Sequence, residues 1–174
     1  MRIEPTPLAG LFLVEQERTG DDRGYFARTY DIEAIGPVVQ MSTSFNPRAG
    51  TLRGLHFQAD PHAETKLVRC TRGSAFDVAV DLRAEAPTRY PWFAVELSAD
   101  NGRALLIPKG FAHGFQTLED DTEVLYAMDV PYDVAAARGV RWDDPAFGID
   151  WPEPPGDGAR LMSARDAGYD LIAP

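Results

Sequence analysis

The chain has few cysteines and histidines and no long apolar segment, and each shortage excludes a class of protein. Its 174 residues include one cysteine, Cys70, so no internal disulfide can form, and no cysteine pair with metal-ligand spacing surrounds it. We expect this thiol to be a buried structural group. No apolar run approaches the roughly 18 residues that a membrane-spanning helix needs. The first residues contain prolines and a glutamate where a secretion signal has an apolar core, so we expect a cytoplasmic protein.

Basic residues are also scarce, since Lys and Arg number 17 against 27 Asp and Glu, a formal net charge of −10. This balance argues against nucleic acid or an anionic membrane surface as a partner, because both attract a basic face. A small anionic ligand held by a few arginines is compatible with it. The length and the 44% hydrophobic content are typical of one globular domain, and we expect residues 1–174 to form it.

Helical periodicity is nearly absent, whereas short segments rich in Val, Leu, Phe and Tyr follow one another closely. They predict ten strands, at 11–17, 24–30, 38–45, 51–58, 65–70, 74–82, 91–98, 103–107, 113–118 and 122–128. Two short helices are predicted at 31–35 and 133–138. Ten closely spaced strands indicate an all-β sandwich or barrel. We expect the proline-rich tail, about residues 143–174, to wrap over it.

The predicted strand at 51–58 has a polar face that is poorly suited to a core. Strict alternation puts Leu52, Gly54, His56 and Gln58 on the same side. Such a face is typical of a cavity wall. A hydrogen-bonded core histidine is an equally good interpretation of this segment taken alone.

The segment from Gly102 to His113 has the spacing G-x5-P-x-G-x2-H. This spacing resembles the second sequence motif of the cupin superfamily, whose members are double-sheet jelly rolls. Metal-binding cupins also carry a His-x-His pair followed by a glutamate, whereas this chain has His56 followed by Gln58. A weak metal site of His56, Glu64 and His113 stays open as an alternative, but we expect neither a metal nor a cofactor.

A barrel without a metal needs organic acids and bases for catalysis, and four residues of this chain are candidates. In such a reaction Asp166 would orient His56 as a base, Lys66 would stabilise an enolate oxygen, and Tyr126 would return a proton from the other face. Together these groups suit proton abstraction next to a carbonyl. Each also has an ordinary structural interpretation, and sequence spacing alone does not unite them.

A set of motifs runs in order along most of the chain. The most specific combination is RGLH at 53–56, E-x-K at 64–66 and GFAHGF at 110–115. Other matching segments are DRGYF at 22–26, DVAVDLR at 77–83, Pro87 with Thr88, WDDP at 142–145, IDWP at 149–152 and SARD at 163–166. From about residue 20 to 170 the sequence resembles the dTDP-4-dehydrorhamnose 3,5-epimerase family.

This resemblance implies an all-β fold, a cupin-like jelly-roll barrel with short peripheral helices, that works without metal or cofactor. It also implies a homodimer in which an N-terminal arm, about residues 1–30, is exchanged between the subunits. By their match to family positions, His56 is the catalytic base, Asp166 its partner, Lys66 the group near the keto oxygen and Tyr126 the catalytic acid.

The substrate-binding positions are carried over in the same way. The residues that the resemblance assigns to binding are Arg23, Phe26, Gln40, Ser42, Arg53, His113, Tyr132 and Arg165. Among them, Arg23 and Arg53 match arginines that hold the diphosphate, while Phe26, Tyr132 and Gln40 match residues near the nucleotide base.

The implied activity is epimerisation of a nucleotide-diphosphate sugar that carries a 4-keto-6-deoxy group, at C3, C5 or both, as in dTDP-L-rhamnose or related deoxysugar biosynthesis. Two alternatives stay open, a nucleotide-sugar 3,4-ketoisomerase and a non-catalytic cupin that binds a sugar nucleotide or a metal. The presence of both Lys66 and Tyr126 favours epimerisation over ketoisomerisation.

Overall fold

The computed structural model describes residues 1–83, 90–156 and 158–172, and almost all of its regular structure is β-strand. The strands are β1 (Arg2–Pro5), β2 (Phe12–Glu15), β3 (Arg18–Asp21), β4 (Gly24–Ala27), β5 (Gln40–Asn46), β6 (Leu52–Gln58), β7 (Lys66–Arg72), β8 (Ser74–Asp81), β9 (Trp92–Ser98), β10 (Ala104–Ile107), β11 (Phe111–Thr117), β12 (Thr122–Met128) and β13 (Ala137–Gly139). The helices α1 (Ile32–Ile35) and α2 (Ala164–Ala167) have one turn each. The motif residues Pro87 and Thr88 lie outside the described residues.

The strands form two antiparallel sheets that face each other. One sheet has the order β1-β2-β10-β7-β12-β5 and the other the order β13-β6-β11-β8-β9, while β3 and β4 form a separate hairpin. Apolar side chains of both sheets, among them Val68, Leu105, Val124, Ala79 and Phe115, fill the space between them. Such a double sheet is a cupin-like jelly roll, and the predicted fold class is confirmed.

A second core lies on the outer face of the five-stranded sheet. Leu52, Leu55 and Val78 of that sheet pack against Phe147 and Trp151, which belong to the segment that follows residue 143. The indole nitrogen of Trp151 also donates a hydrogen bond to the carbonyl oxygen of Trp142. The described part of the C-terminal segment therefore packs on the outer face of the sheet through Phe147 and Trp151.

Each of the ten predicted strand segments overlaps a strand of the structure, and the helix predicted at 31–35 is α1, whereas β1, β3 and β13 were not predicted as strands. The helix predicted at 133–138 is wrong. The Asp133 carboxylate accepts the amide hydrogen of Ala135 in a turn, and Ala137–Gly139 then pairs with β6 as an edge strand. Within the three described ranges, no helix is long and apolar enough to cross a membrane.

Strand β6 contains a register shift that changes which of its side chains share a face. His113 of β11 lies opposite His56, and Phe115 lies opposite Arg53, so a single residue of β11 faces two residues of β6. Since this bulge adds one residue to β6, Arg53 and His56 point to the same side. That side faces the six-stranded sheet, where Arg53 hydrogen-bonds Asn46 of β5.

The prediction that Leu52 and His56 share one face of β6 is therefore wrong. Leu52 and Leu55 lie together in the outer core, on the side away from His56. Alternation with a period of two assigned Leu52, Gly54, His56 and Gln58 to one face, and the bulge interrupts that period. The interpretation of His56 as part of a cavity wall does hold, because its imidazole lines two adjoining cavities.

Candidate active site

His56 and Asp166 meet although 110 residues separate them in the chain. The Asp166 carboxylate accepts a hydrogen bond from His56 Nε2 at 2.8 Å and one from the Gly54 amide at 3.3 Å. The Ser163 hydroxyl caps α2 by accepting the amide hydrogen of Asp166 at 3.0 Å. The bulge in β6 and the capped turn of α2 thus bring an imidazole and a buried carboxylate together.

The environment of Asp166 keeps its carboxylate ionised. Burial acts to raise the pKa of this carboxyl, but the hydrogen bond and charge of His56, with hydrogen bonds from Gly54 and Ser163, outweigh burial and lower it. When the carboxylate binds Nε2–H of the neutral imidazole, the ring lone pair lies on Nδ1. The His56 side chain is 43% exposed, so a ligand can reach this nitrogen.

Two adjoining cavities share His56 in their walls. The larger, about 440 Å³, is lined by Arg53, Met162 and Asp166, among others. The smaller, about 210 Å³, is lined by Glu64 and Tyr132, among others. Since His56 lies at their junction, a ligand that fills both passes the imidazole.

Tyr126 reaches the same region from the facing sheet. Its ring meets the ring of His113 edge to face, with the centroids 6.3 Å apart, and its hydroxyl hydrogen-bonds Ser44 at 3.2 Å. His113 in turn is buried and hydrogen-bonds the buried Asp77 carboxylate at 2.9 Å. Burial, with the charge of Asp77, raises the pKa of the Tyr126 hydroxyl well above its usual value, so the hydroxyl keeps its proton at neutral pH.

Lys66 places a positive charge beside Glu64, a residue of the cavity wall. It begins β7, its side chain is buried, and its Nζ forms an ion pair of 2.7 Å with Glu64 Oε1. Glu64 lines the smaller cavity together with His56. The sequence interpretation gave Glu64 only a possible metal-ligand role, and the structure instead makes it the partner of Lys66.

Arg53 is held by a residue that sequence reasoning missed. Its Nε donates a hydrogen bond to Asn46 Oδ1 at 2.7 Å. Asn46 is completely buried, and its own amide donates to the carbonyl oxygen of Thr122 at 3.1 Å. The terminal nitrogens of Arg53 remain for an anion in the cavity that this residue lines. The only sequence signal for Asn46 was a polar residue at the end of a strand.

The four rim residues expected to bind substrate form a connected group. The Tyr132 amide donates to Gln40 Oε1 at 2.9 Å, and Gln40 Nε2 approaches Ser42 Oγ at 3.5 Å. Arg165 hydrogen-bonds the Tyr132 side chain, which raises the pKa of that guanidinium further. Tyr132 and Arg165 line the smaller cavity with His56, so this group continues the site outwards.

The remaining two predicted binding residues, Arg23 and Phe26, lie elsewhere on this chain. Both belong to the β3–β4 hairpin, where Arg23 forms an ion pair with Asp21. Their side chains are 90% and 80% exposed. They line a hollow made by residues 19–26 alone, so within one chain the structure does not bring them to His56.

The weak metal site considered for His56, Glu64 and His113 does not form. Each of the three has a different partner, namely Asp166, Lys66 and Asp77. In the part of the chain that the structure describes, no three His, Cys, Asp or Glu side chains lie close enough together to hold a metal ion.

The arrangement supplies the parts for proton transfer on two sides of a ligand. An imidazole with an ionised partner can accept a proton, a tyrosine hydroxyl on the facing sheet can donate one, and an ammonium group can stabilise a developing oxyanion. Arg53 adds a fork of donors for a phosphate group.

Comparison with known proteins decides the family. The family model described as dTDP-4-dehydrorhamnose 3,5-epimerase matches residues 5–173. The dTDP-4-dehydrorhamnose 3,5-epimerase of Sinorhizobium fredii is 45% identical over 160 residues, which cover 88% of this chain and 82% of the relative. This chain belongs to the dTDP-4-dehydrorhamnose 3,5-epimerase family.

Solved structures of the epimerase family have the same fold. The Bacillus anthracis enzyme, crystallised with TDP and pyrophosphate bound, superposes with a TM-score of 0.92 at 41% identity and covers 98% of this chain and 99% of its own. The Legionella pneumophila enzyme, in complex with dTDP-4-keto-L-rhamnose, gives a TM-score of 0.89 at 35% identity, with 98% and 92% covered. The resemblance on sequence motifs is thereby confirmed at the level of family and fold.

Proposed function

We propose that this protein inverts C3, C5 or both of a 4-keto-6-deoxy sugar linked to a nucleoside diphosphate. The observation that carries the proposal is the His56–Asp166 pair on one sheet and Tyr126 on the facing sheet, where the Tyr126 ring contacts His113, the cross-strand partner of His56. Membership of an epimerase family supports the reaction type. The ligands named for the related crystal structures support the substrate class.

The chemistry follows from the C4 carbonyl, which makes the hydrogens at C3 and C5 acidic. His56 Nδ1 takes the proton from the carbon next to C4. The C–H electron pair then forms a double bond to C4, and the carbonyl π pair moves onto the C4 oxygen, which gives an enolate. Lys66 stabilises that oxygen by its charge. Tyr126 then donates its proton to the carbon from the opposite face and is reprotonated from solvent, so the carbonyl returns and the configuration is inverted.

Binding of the nucleotide part uses the remaining residues. Arg53 takes the diphosphate, since its Nε is already held by Asn46 and its terminal nitrogens form a fork. Gln40, Ser42 and Tyr132 take the nucleotide base at the rim. Arg165 and His113 hold the sugar end, next to His56 and Tyr126.

The molecule works as a homodimer in this proposal, with the β3–β4 arm exchanged between subunits. Arg23 and Phe26 of one subunit complete the site of its neighbour, which accounts for their exposure on a single chain. The absence of a metal or cofactor requirement and a cytoplasmic location stay predictions from the sequence.

Deuterium exchange tests the proposed reaction. The protein is incubated in D2O with dTDP- and other nucleotide-linked 4-keto-6-deoxy sugars, and NMR follows label at C3 and C5. We expect label at one or both carbons, together with inversion. A shift of the keto group to C3 would indicate a ketoisomerase instead, and binding without exchange would indicate a non-catalytic cupin.

Two variants assign the base and the acid. His56→Ala is expected to lose exchange at both carbons, on the order of 10²–10⁴-fold in rate, while it still binds the nucleotide. Tyr126→Phe keeps the base and should retain exchange but lose inversion. Near-normal exchange in His56→Ala contradicts the base assignment. Complete loss of exchange in Tyr126→Phe would instead assign the tyrosine to positioning of the sugar.

A further inference from the structure

Gly139 lies directly opposite His56 at the edge of the five-stranded sheet. It ends the edge strand β13, which pairs with β6 so that these two residues are cross-strand partners. A glycine at this position supplies no side chain beside the imidazole. The ring of Tyr169 fills the space, because a Cβ at Gly139 would overlap three of its ring atoms. Position 139 must therefore be a glycine for the Tyr169 ring to lie where it does.

Tyr169 contacts the imidazole of His56 directly. The ring centroids are 5.9 Å apart and the planes meet at 71°, an edge-to-face contact. Asp166, which hydrogen-bonds the same imidazole, precedes Tyr169 by only three residues. One short segment of the C-terminal tail therefore holds His56 by a polar contact and an aromatic contact at once.

The contact of Tyr169 with His56 is made by its ring rather than its hydroxyl. The hydroxyl oxygen is buried, and its polar neighbour is the Arg165 guanidinium, with which it makes a hydrogen bond of poor geometry. The guanidinium of Arg165 lies over the ring, 5.8 Å from its centroid. A phenylalanine would lose the weak contact with Arg165 but keep the ring contact with His56.

We propose that Tyr169 is a positioning residue, which holds the His56 imidazole against Asp166 by filling the space over Gly139. The inference rests on the proposed function, in which His56 Nδ1 must point at a carbon-bound hydrogen. Without the ring, one side of the imidazole faces water and its side chain gains rotational freedom. A misplacement of about 1 Å at a reacting group lowers a rate by on the order of 10²-fold.

Three variants of the full-length protein test this role. Tyr169→Ala removes the ring, Gly139→Ala displaces it while Tyr169 is unchanged, and Tyr169→Phe is the matched control that keeps it. Rates of deuterium exchange into the 4-keto sugar nucleotide are measured over a range of substrate concentrations. Both alanine variants should lose kcat on the order of 10²-fold, with KM changed by no more than about twofold. The phenylalanine variant should keep the wild-type rate.

A spectroscopic measurement on the substrate-free protein makes the test independent of turnover. The imidazole N–H that donates to Asp166 is expected to give a downfield proton NMR signal in the wild type and Tyr169→Phe. The signal should broaden or vanish in the two alanine variants, since the bond then exchanges with water. Circular dichroism checks that each variant folds, and Tyr169→Leu replaces an alanine variant that does not.

Several outcomes would overturn the role of Tyr169. An unchanged kcat in both alanine variants does so, as does a rise of KM alone, which would assign the ring to substrate binding. A Tyr169→Phe variant as slow as Tyr169→Ala would move the role from the ring to the hydroxyl. If the wild type exchanges no deuterium at all, the proposed function fails, and the NMR signal alone decides whether Tyr169 positions His56.

Discussion

A single buried side chain, Asn46, determines how Arg53 presents its charge. Its side-chain oxygen accepts a hydrogen bond from Arg53 Nε, and its side-chain amide donates one to the Thr122 carbonyl oxygen on the neighbouring strand. An arginine fixed at Nε is already ordered. It can therefore donate from its two terminal nitrogens to a phosphate with little further loss of side-chain conformational entropy on binding. The net charge of −10 makes such local placement necessary for an anionic ligand.

We therefore expect Asn46→Ala to weaken binding of a nucleoside diphosphate, although Asn46 carries no charge. A hydrogen bond to a charged group contributes about 1.5–3 kcal/mol, so the dissociation constant should rise by about tenfold or more. Isothermal titration calorimetry with the nucleoside diphosphate measures it. Asn101→Ala, a loop asparagine between β9 and β10, is the control and should bind like the wild type. Equal affinities of the two variants would contradict this account of Arg53.

The sequence identifies charged residues of the site better than the residues that hold them. His56, Lys66, Arg53 and Asp166 stand in motifs that can be recognised by residue type. Tyr169 lies in an aperiodic tail, and nothing in its neighbours reveals that it will lie over Gly139. Contacts such as that of Tyr169 with Gly139 depend on where the tail crosses the sheet, and local sequence patterns carry no information about that path.

At the scale of one strand, the bulge in β6 makes the site possible. It turns Arg53 and His56 to the same side, whereas strict alternation would put them on opposite faces. The bulge depends on a close approach of two backbones. A Cβ at Gly54 would lie 2.6 Å from Gly114 Cα and 3.1 Å from the His113 carbonyl oxygen, and Gly54 has a φ of +138°.

Gly54→Ala should therefore be much more destabilising than a glycine substitution that meets only an unfavourable φ. Gly10→Ala is the matched control, because Gly10 has a φ of +82° but its nearest neighbour would be 3.5 Å away. We expect the control to lose about 1–2 kcal/mol of unfolding free energy, and Gly54→Ala to lose at least about 3 kcal/mol or not to fold. Urea denaturation measures both. Equal losses would contradict the close approach of β6 and β11.

Element types were predictable where the pattern was long, and the errors fell on short segments. Segments of seven or eight residues such as Ser74–Asp81 alternate clearly and became strands. The segment 133–138 looked helical because three alanines favour helices, but the Asp133 turn and pairing with β6 determined its structure. Alternation patterns do not reveal the bulge. One inserted residue reverses the face that alternation assigns to every later residue of the strand.

At the scale of the whole molecule, one chain assembles only part of its proposed site. The two sheets supply His56, Tyr126 and Lys66, and the tail supplies Asp166. The β3–β4 hairpin forms a small sheet of its own, and its Arg23 and Phe26 side chains are exposed. A hairpin of two short strands is marginally stable alone, so packing on another surface would stabilise it. In the proposed dimer that surface is the neighbouring subunit.

Mixing of two defective variants tests the exchange of this arm. Arg23→Ala and His56→Ala are each expected to be slow as pure proteins. In a mixed dimer with exchanged arms, one site combines an intact His56 with Arg23 of the partner subunit, while the other site carries both changes. Random reassortment of equal amounts should therefore restore about a quarter of the wild-type site activity.

The same mixture gives a different result if the hairpin folds back on its own subunit. Every site then carries one of the two substitutions, and mixing restores nothing. The subunits are dissociated and reassembled under mild denaturant, and deuterium exchange is measured before and after. A mixture of Arg23→Ala with wild type, treated identically, controls for losses during reassembly. Recovery that appears only after reassembly supports arm exchange, and its absence with full recovery of the control contradicts it.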